Sequence, residues 1–128
     1  MTKKKGTAQQ MEKEIIKPMR ITLSDSGETY ELDFNRDSVA FAEDRKFNTD
    51  EVAQYPVTKI PELFYYSFRK NHRKLARSQT DDILTQIGGL TPKMLQRLLL
   101  LYNQAAMSNA VIQDDEDLEK NSKVAVEL

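Results

Sequence analysis

The chain has 128 residues, enough for one domain with a modest core, and its 39% hydrophobic and 30% charged residues point to a compact middle with solvated ends. Its 19 basic and 20 acidic side chains give no overall field for nucleic acid, and the lack of cysteine excludes disulfides, thiolate metal sites and a cysteine nucleophile. No apolar run approaches the roughly 18 residues of a membrane span, and the basic N-terminus lacks the apolar stretch of a secretory signal, so no membrane partner and a soluble intracellular protein are expected.

Residues 1–17 read as a flexible basic lead. Lys3, Lys4, Lys5, Lys13 and Lys17 outnumber Glu12 and Glu14, and only Ile15 and Ile16 offer anything to bury. A single globular domain is expected over 18–112. It opens on a β-hairpin at 19–34, where Met19, Ile21 and Leu23, then Tyr30, Leu32 and Phe34, alternate with polar residues around a Ser/Asp/Gly loop. A lone hairpin is marginal in water, so its apolar face must lie on the helices that follow.

The spacing predicts a helix over about 36–46, capped by Asn35, with Val39, Ala42 and Phe47 inward. A short helix at 49–55 starts at Asn48 or Thr49 and is closed by Pro56. The central helix is placed at 59–75, with Thr58 as its cap and Pro61 in its first turn. Ile60, Leu63, Phe64, Ser67, Phe68, Asn71 and Leu75 share one face of it. A fourth helix spans 79–87, with Ser78 and Asp81 as a capping pair and Gly88-Gly89 as its stop. Thr91 caps and Pro92 opens the last, 92–110, whose inner stripe is read as Leu95, Leu98, Leu99, Tyr102 and Ala106. Residues 113–128 form an acidic tail, and the closing Val124, Ala125, Val126, Glu127 and Leu128 alternate as a strand for the hairpin edge would. The fold class is α+β, mainly α: an N-terminal hairpin packed on about five helices, with charged flexible termini.

Chemistry is sparse. One histidine and no cysteine leave little for a metal, and there is no glycine-rich phosphate loop and no nucleophile elbow. No catalytic residue, metal or cofactor is expected, and the chain reads as not an enzyme. Arg69, Lys70, Arg73, Lys74 and Arg77 form a basic patch. It could contact phosphate, but it has no recognition helix or stacking platform beside it, so nucleic acid is not the expected partner. Met94, Leu100 and Leu101 widen the apolar surface of the last helix beyond one face, which serves either core and oligomer packing or an exposed contact.

Several stretches carry a resemblance: T-Y-E-L-D-F-N-R at 29–36, S-V-A-F-A-E-D-R at 38–45, I-P-E-L-F-Y-Y-S-F at 60–68, T-D-D-I-L at 80–84, and K-N-S-K-V-A-V-E-L at 120–128. With the Gly-Gly-Leu and the Leu-rich helix, residues 19–128 resemble small tail-module proteins of phages and prophages of Gram-positive bacteria, which are similar to phage tail assembly chaperones. The resemblance implies a protein of the host bacterial cytoplasm that binds the tape-measure protein and keeps it soluble until the tail tube forms, with room for a homo-oligomer. Candidate contact residues for that role are Tyr65, Tyr66, Met94, Leu101 and Met107, Tyr65 and Tyr66 serving equally as core aromatics. The alternatives are a connector or tail-completion component kept in the virion, and a small nucleic-acid-binding regulator using the patch at 69–77. Lys46 departs from the pattern, standing where the resemblance leads one to expect glycine. A lysine there must take a left-handed conformation or let the helix run on.

Overall fold

The computed structural model describes residues 15–110, so most of the basic lead and the whole acidic tail with its terminal strand lie outside the described residues. Two strands, β1 (Met19–Thr22) and β2 (Thr29–Leu32), pair antiparallel with Met19 opposite Leu32 and Ile21 opposite Tyr30. Leu23 N–H donates to Glu28 O and Gly27 N–H to Leu23 O, both at 2.8 Å. The turn they close holds Gly27 at φ 76°, where a side chain is disfavoured. Met19, Ile21, Leu23, Leu32 and Phe34 are buried as the alternation requires. Arg20 and Glu31 pair across the other face at 3.0 Å.

Four helices follow among the described residues: α1 (Arg36–Asp44), α2 (Pro56–Ser67), α3 (Arg77–Ile87) and α4 (Pro92–Ala110). The hairpin meets α4, and α1 and α3 pack on α2, which with α1 also rests on α4. A string of edge-to-face rings ties the layers together: Phe34 to Tyr102 at 5.1 Å, Tyr102 to Phe47 at 5.7 Å and Phe47 to Tyr66 at 5.2 Å.

Local chemistry explains each helix boundary. Asn35 Oδ1 accepts the Ser38 N–H and Ser38 Oγ accepts the Asn35 N–H, each at 2.8 Å, which starts α1. The helix stops at Asp44, short of the expected 46, because Lys46 does enter the left-handed region, at φ 66°. The Lys46 and Phe47 amides then donate back to Glu43 O (2.9 Å) and Ala42 O (3.0 Å), a Schellman closure. The end of α3 is built the same way, with Gly88 at φ 78° and the Gly89 amide 3.0 Å from Leu84 O. At the start of α4, Thr91 Oγ accepts the Met94 N–H at 3.1 Å, ahead of Pro92.

Three expectations are corrected. The helix placed at 49–55 is one turn of 3-10 helix, Thr49–Glu51, on an Asn48 side chain that accepts the Asp50 N–H. The Ser78–Asp81 capping pair is not formed. Helix α3 starts earlier, where Gln79 Oε1 accepts the Ala76 N–H at 2.7 Å, and Asp81 instead pairs with Arg77 at 2.9 Å. The central helix runs over 56–67 rather than 59–75. Pro56 takes the first helical position, and Pro61 sits in the second turn, where the Val57 carbonyl loses its amide partner beside an 85% exposed residue. The far end stops because the hairpin competes for its carbonyls. Ser67 O accepts the Asp33 N–H (3.0 Å), while the Phe68 and Arg69 amides fall back three residues to Tyr65 O and Tyr66 O.

Candidate partner-binding surface

The cations of the basic patch lie in the loop after α2 and at the first residue of α3, so no helix C-terminus arrays them. Their partners come from far upstream. Asp37 of α1 receives both Arg69 Nε and Arg73 Nη2, each at 3.0 Å. Lys70 Nζ stands 2.6 Å from the buried Asp33 carboxylate, and Arg77 is taken by Asp81. Only Lys74 of the five makes no ion pair among the described residues. The Arg69 and Arg45 guanidiniums both stack on Phe41, 3.8 and 3.5 Å from its ring centre. His72, inside the same loop, presents its ring edge-on to Tyr30 at 5.2 Å and accepts the Glu31 N–H on Nε2 at 3.0 Å. Asn71 donates to Glu31 O at 3.2 Å. The run therefore clamps α1 and seals the outer edge of β2. Cations answered by carboxylates in this way project little free field toward a phosphate backbone.

The apolar candidates divide. Tyr66 is 3% exposed, wedged edge-on against Phe47 and Phe41, and burial raises its hydroxyl above the usual tyrosine value. Leu101 is fully buried. Both are core side chains, the alternative left open for each, and their contact role falls away. For Leu101 the cause is rotation of the helix: the buried stripe of α4 is Leu98, Leu101, Tyr102 and Ala105, about one residue away from the expected one. Tyr65 is half-buried against Phe41 and Tyr66, and Met94 is half-buried against the core. Met107 is 49% exposed.

Of the residues that widen the apolar surface of the last helix, the structure leaves Leu100 most exposed. Leu100 is 42% exposed and lies seven residues from Met107, so both sit on the solvent stripe of α4. Between them, Gln104 holds the incoming chain: its Oε1 accepts the Ile16 N–H at 2.7 Å and its Nε2 donates to Ile16 O at 3.2 Å. Arg97 extends the same strap by donating to Lys17 O at 3.2 Å. Ile15, which precedes this anchor in the chain, is also exposed. The other large exposed apolar side chains, Tyr55 and Val57, flank Pro56 at the start of α2. Their signal was available, since an apolar residue on the polar side of a helical wheel marks a contact candidate.

Among the described residues no three His, Asp or Glu side chains gather as a metal site, and no helix is long and apolar enough to cross a membrane. An open groove of about 430 Å³ is lined by Glu43, Lys46, Phe47, Asn48, Thr49 and Tyr102. Burial pushes the Tyr102 hydroxyl up to about 12, and the Glu43 carboxylate adds to the shift.

A family model described as a domain of unknown function, DUF5055, matches residues 4–128, so the chain belongs to that family. No curated protein and no solved structure matches it.

Proposed function

We propose that this member of the DUF5055 family is a non-enzymatic binding protein that shields the apolar stripe of a long helical partner. The partner proposed is the tape-measure protein of a tailed phage, bound in the bacterial cytoplasm while the tail is assembled. The observation that carries the binding mode is the solvent face of α4, where the exposed Leu100 and Met107 stand seven residues apart. That spacing is about 10 Å along a helix, two turns, the interval at which an amphipathic partner helix repeats its own anchors. The pairing of the basic loop with Asp33, Asp37 and Asp81 favours a protein partner over nucleic acid. The chaperone role itself rests on the resemblance to tail assembly chaperones.

Co-expression with a tape-measure fragment, followed by affinity capture and sizing, tests both parts. The expected result is a soluble complex that the double variant Leu100→Lys/Met107→Lys loses without a change in melting temperature, because both side chains are exposed. A complex that survives the double variant would remove this surface. No complex with any fragment, together with the chain in finished particles, would replace the chaperone by a virion component.

A further inference from the structure

The segment that leads into β1 lies along the flank of α4. Gln104 holds both the N–H and the C=O of Ile16, at 2.7 and 3.2 Å, and Arg97 donates to the carbonyls of Lys17 and Pro18 at 3.2 and 3.5 Å. Ile16 is thus fixed beside a later turn of α4 and Pro18 beside an earlier one, so this strap runs antiparallel to the helix. The Ile16 side chain is half-buried against the core, while Lys17 and Arg97 are exposed. At about 100° per residue, Gln104 and Arg97 stand about 40° and 60° round the helix from Leu100, toward Leu101, and Met107 stands about 20° to the other side. An amphipathic helix makes contact through a stripe about 100° wide, which reaches about 50° to either side of its centre. A footprint of that width centred on Leu100 takes in Gln104, and the strap bonded to Gln104 stands in its way.

We propose that residues 15–18 are an autoinhibitory strap, with Gln104 as its latch and Ile16 as a stand-in for one apolar anchor of the partner helix, which displaces the strap when it docks. This inference rests on the helix-docking reading of α4 given above. A helix packed on top of the strap would take the Lys17 ammonium and the Arg97 guanidinium out of water, which is costly for a charge. Displacement avoids that cost. The freed amide and carbonyl of Ile16 pass to water, as do the carbonyls of Lys17 and Pro18, and the partner's anchor fills the place that Ile16 leaves against the core. The row of Arg97 and Gln104 also divides the outward stripe of Leu100 and Met107 from the buried stripe that begins at Leu101. Lifting Ile16 bares part of the core beside the outward stripe and so widens the apolar face. Closed, the strap limits the apolar surface that the protein shows before a partner arrives.

Amide exchange and dye binding on the full chain test the latch, and binding of the tape-measure fragment tests its role. In Gln104→Ala the Ile16 amide should exchange about 10-fold faster, the effect of one lost hydrogen bond, while the amides of Leu98 and Tyr102 within α4 keep their protection. The neutral apolar dye Nile red should brighten on Gln104→Ala, and adding Leu100→Lys should remove the gain. The fragment should bind Gln104→Ala about 10-fold more tightly than the natural protein, because the competent state no longer has to open first. Equal binding to both proteins, with the Ile16 amide still protected in the complex, would overturn the strap and leave the docking face standing. Unchanged Nile red fluorescence in Gln104→Ala would also overturn it, a result that needs no partner. A gain in dye binding with no complex would support the strap and remove the tape-measure protein as its occupant.

Discussion

Replacing Lys46 by glycine should stabilise the protein. Lys46 is an exposed L-residue held at φ 66° by the closure of α1, with Phe47 buried just behind it as the hydrophobic partner of that closure. The left-handed conformation disfavours a Cβ by about 1–2 kcal/mol. Removing the Cβ also loosens the unfolded chain, which takes back about 0.4–1 kcal/mol. The net expectation is a gain of about 0.5–1 kcal/mol, or about 3–6 °C in melting temperature for a domain near 100 residues. No ion pair of the Lys46 side chain is lost among the described residues. Urea unfolding should show a higher midpoint at an unchanged slope. Two companions locate the cause. Lys46→Ala keeps the Cβ and should gain nothing. Gly88→Ala, at φ 78° with no heavy atom within 4 Å of where the new methyl group would stand, should lose about 1 kcal/mol from conformation alone. A neutral or destabilising Lys46→Gly, or an equal gain from Lys46→Ala, would refute the reasoning.

His72→Phe keeps a ring against Tyr30 and Phe68 but strands the Glu31 N–H, so it should cost about 1–2 kcal/mol and speed exchange of the Glu31 amide. An unchanged Glu31 amide would show that the ring, rather than Nε2, holds the loop on β2. Tyr102 gives a pH prediction. Its unfolded hydroxyl ionises near pH 10, while burial keeps the folded one protonated to about 12. Its contribution is therefore complete below pH 10 and is lost as the pH climbs toward 12, by up to about 2–3 kcal/mol. Denaturant titrations between pH 9 and 12 should show a steeper loss for the natural protein than for Tyr102→Phe, and parallel curves would contradict the assignment.

What could be read from the sequence was whatever the chain decides within a few residues. The alternation of Met19, Ile21 and Leu23, the Asn35 cap, the Gly88 stop and the Thr91-Pro92 start all rest on contacts within about four positions, and all appear in the structure. Boundaries set from a distance were misplaced. Nothing near Ser67 announces that its carbonyl is taken by the Asp33 N–H, so the helical pattern of the sequence runs on to residue 75. The rotation of α4 failed for a different reason. Leu95, Leu98, Leu99, Leu101 and Tyr102 satisfy two neighbouring stripes equally well, and the rings of Phe34 and Phe47 against Tyr102 decide between them. That choice buries Leu101 and leaves Leu100 outside, which exchanges one contact candidate for its neighbour.

The basic run shows most clearly how sequence distance conceals function. Written out, Arg69, Lys70, Arg73, Lys74 and Arg77 resemble a surface waiting for an anion. Their carboxylates at Asp33 and Asp37 lie more than thirty positions upstream, and only the packing of the hairpin and α1 on α2 brings them together. Once paired, these cations stop being an electrostatic lure and hold their loop in place, so that His72 and Asn71 within it close one hairpin edge. Closing that edge has a consequence for association. A two-stranded sheet sealed along β2 can grow only from β1, so any added strand must meet Arg20 and Thr22. The apolar stripe of α4 is a separate opportunity, because Arg97 and Gln104 strap the approach to β1 against the flank of that helix and leave Leu100 and Met107 facing outward. Strand addition and helix docking therefore use different faces of the same molecule, and a lesion in one should leave the other intact.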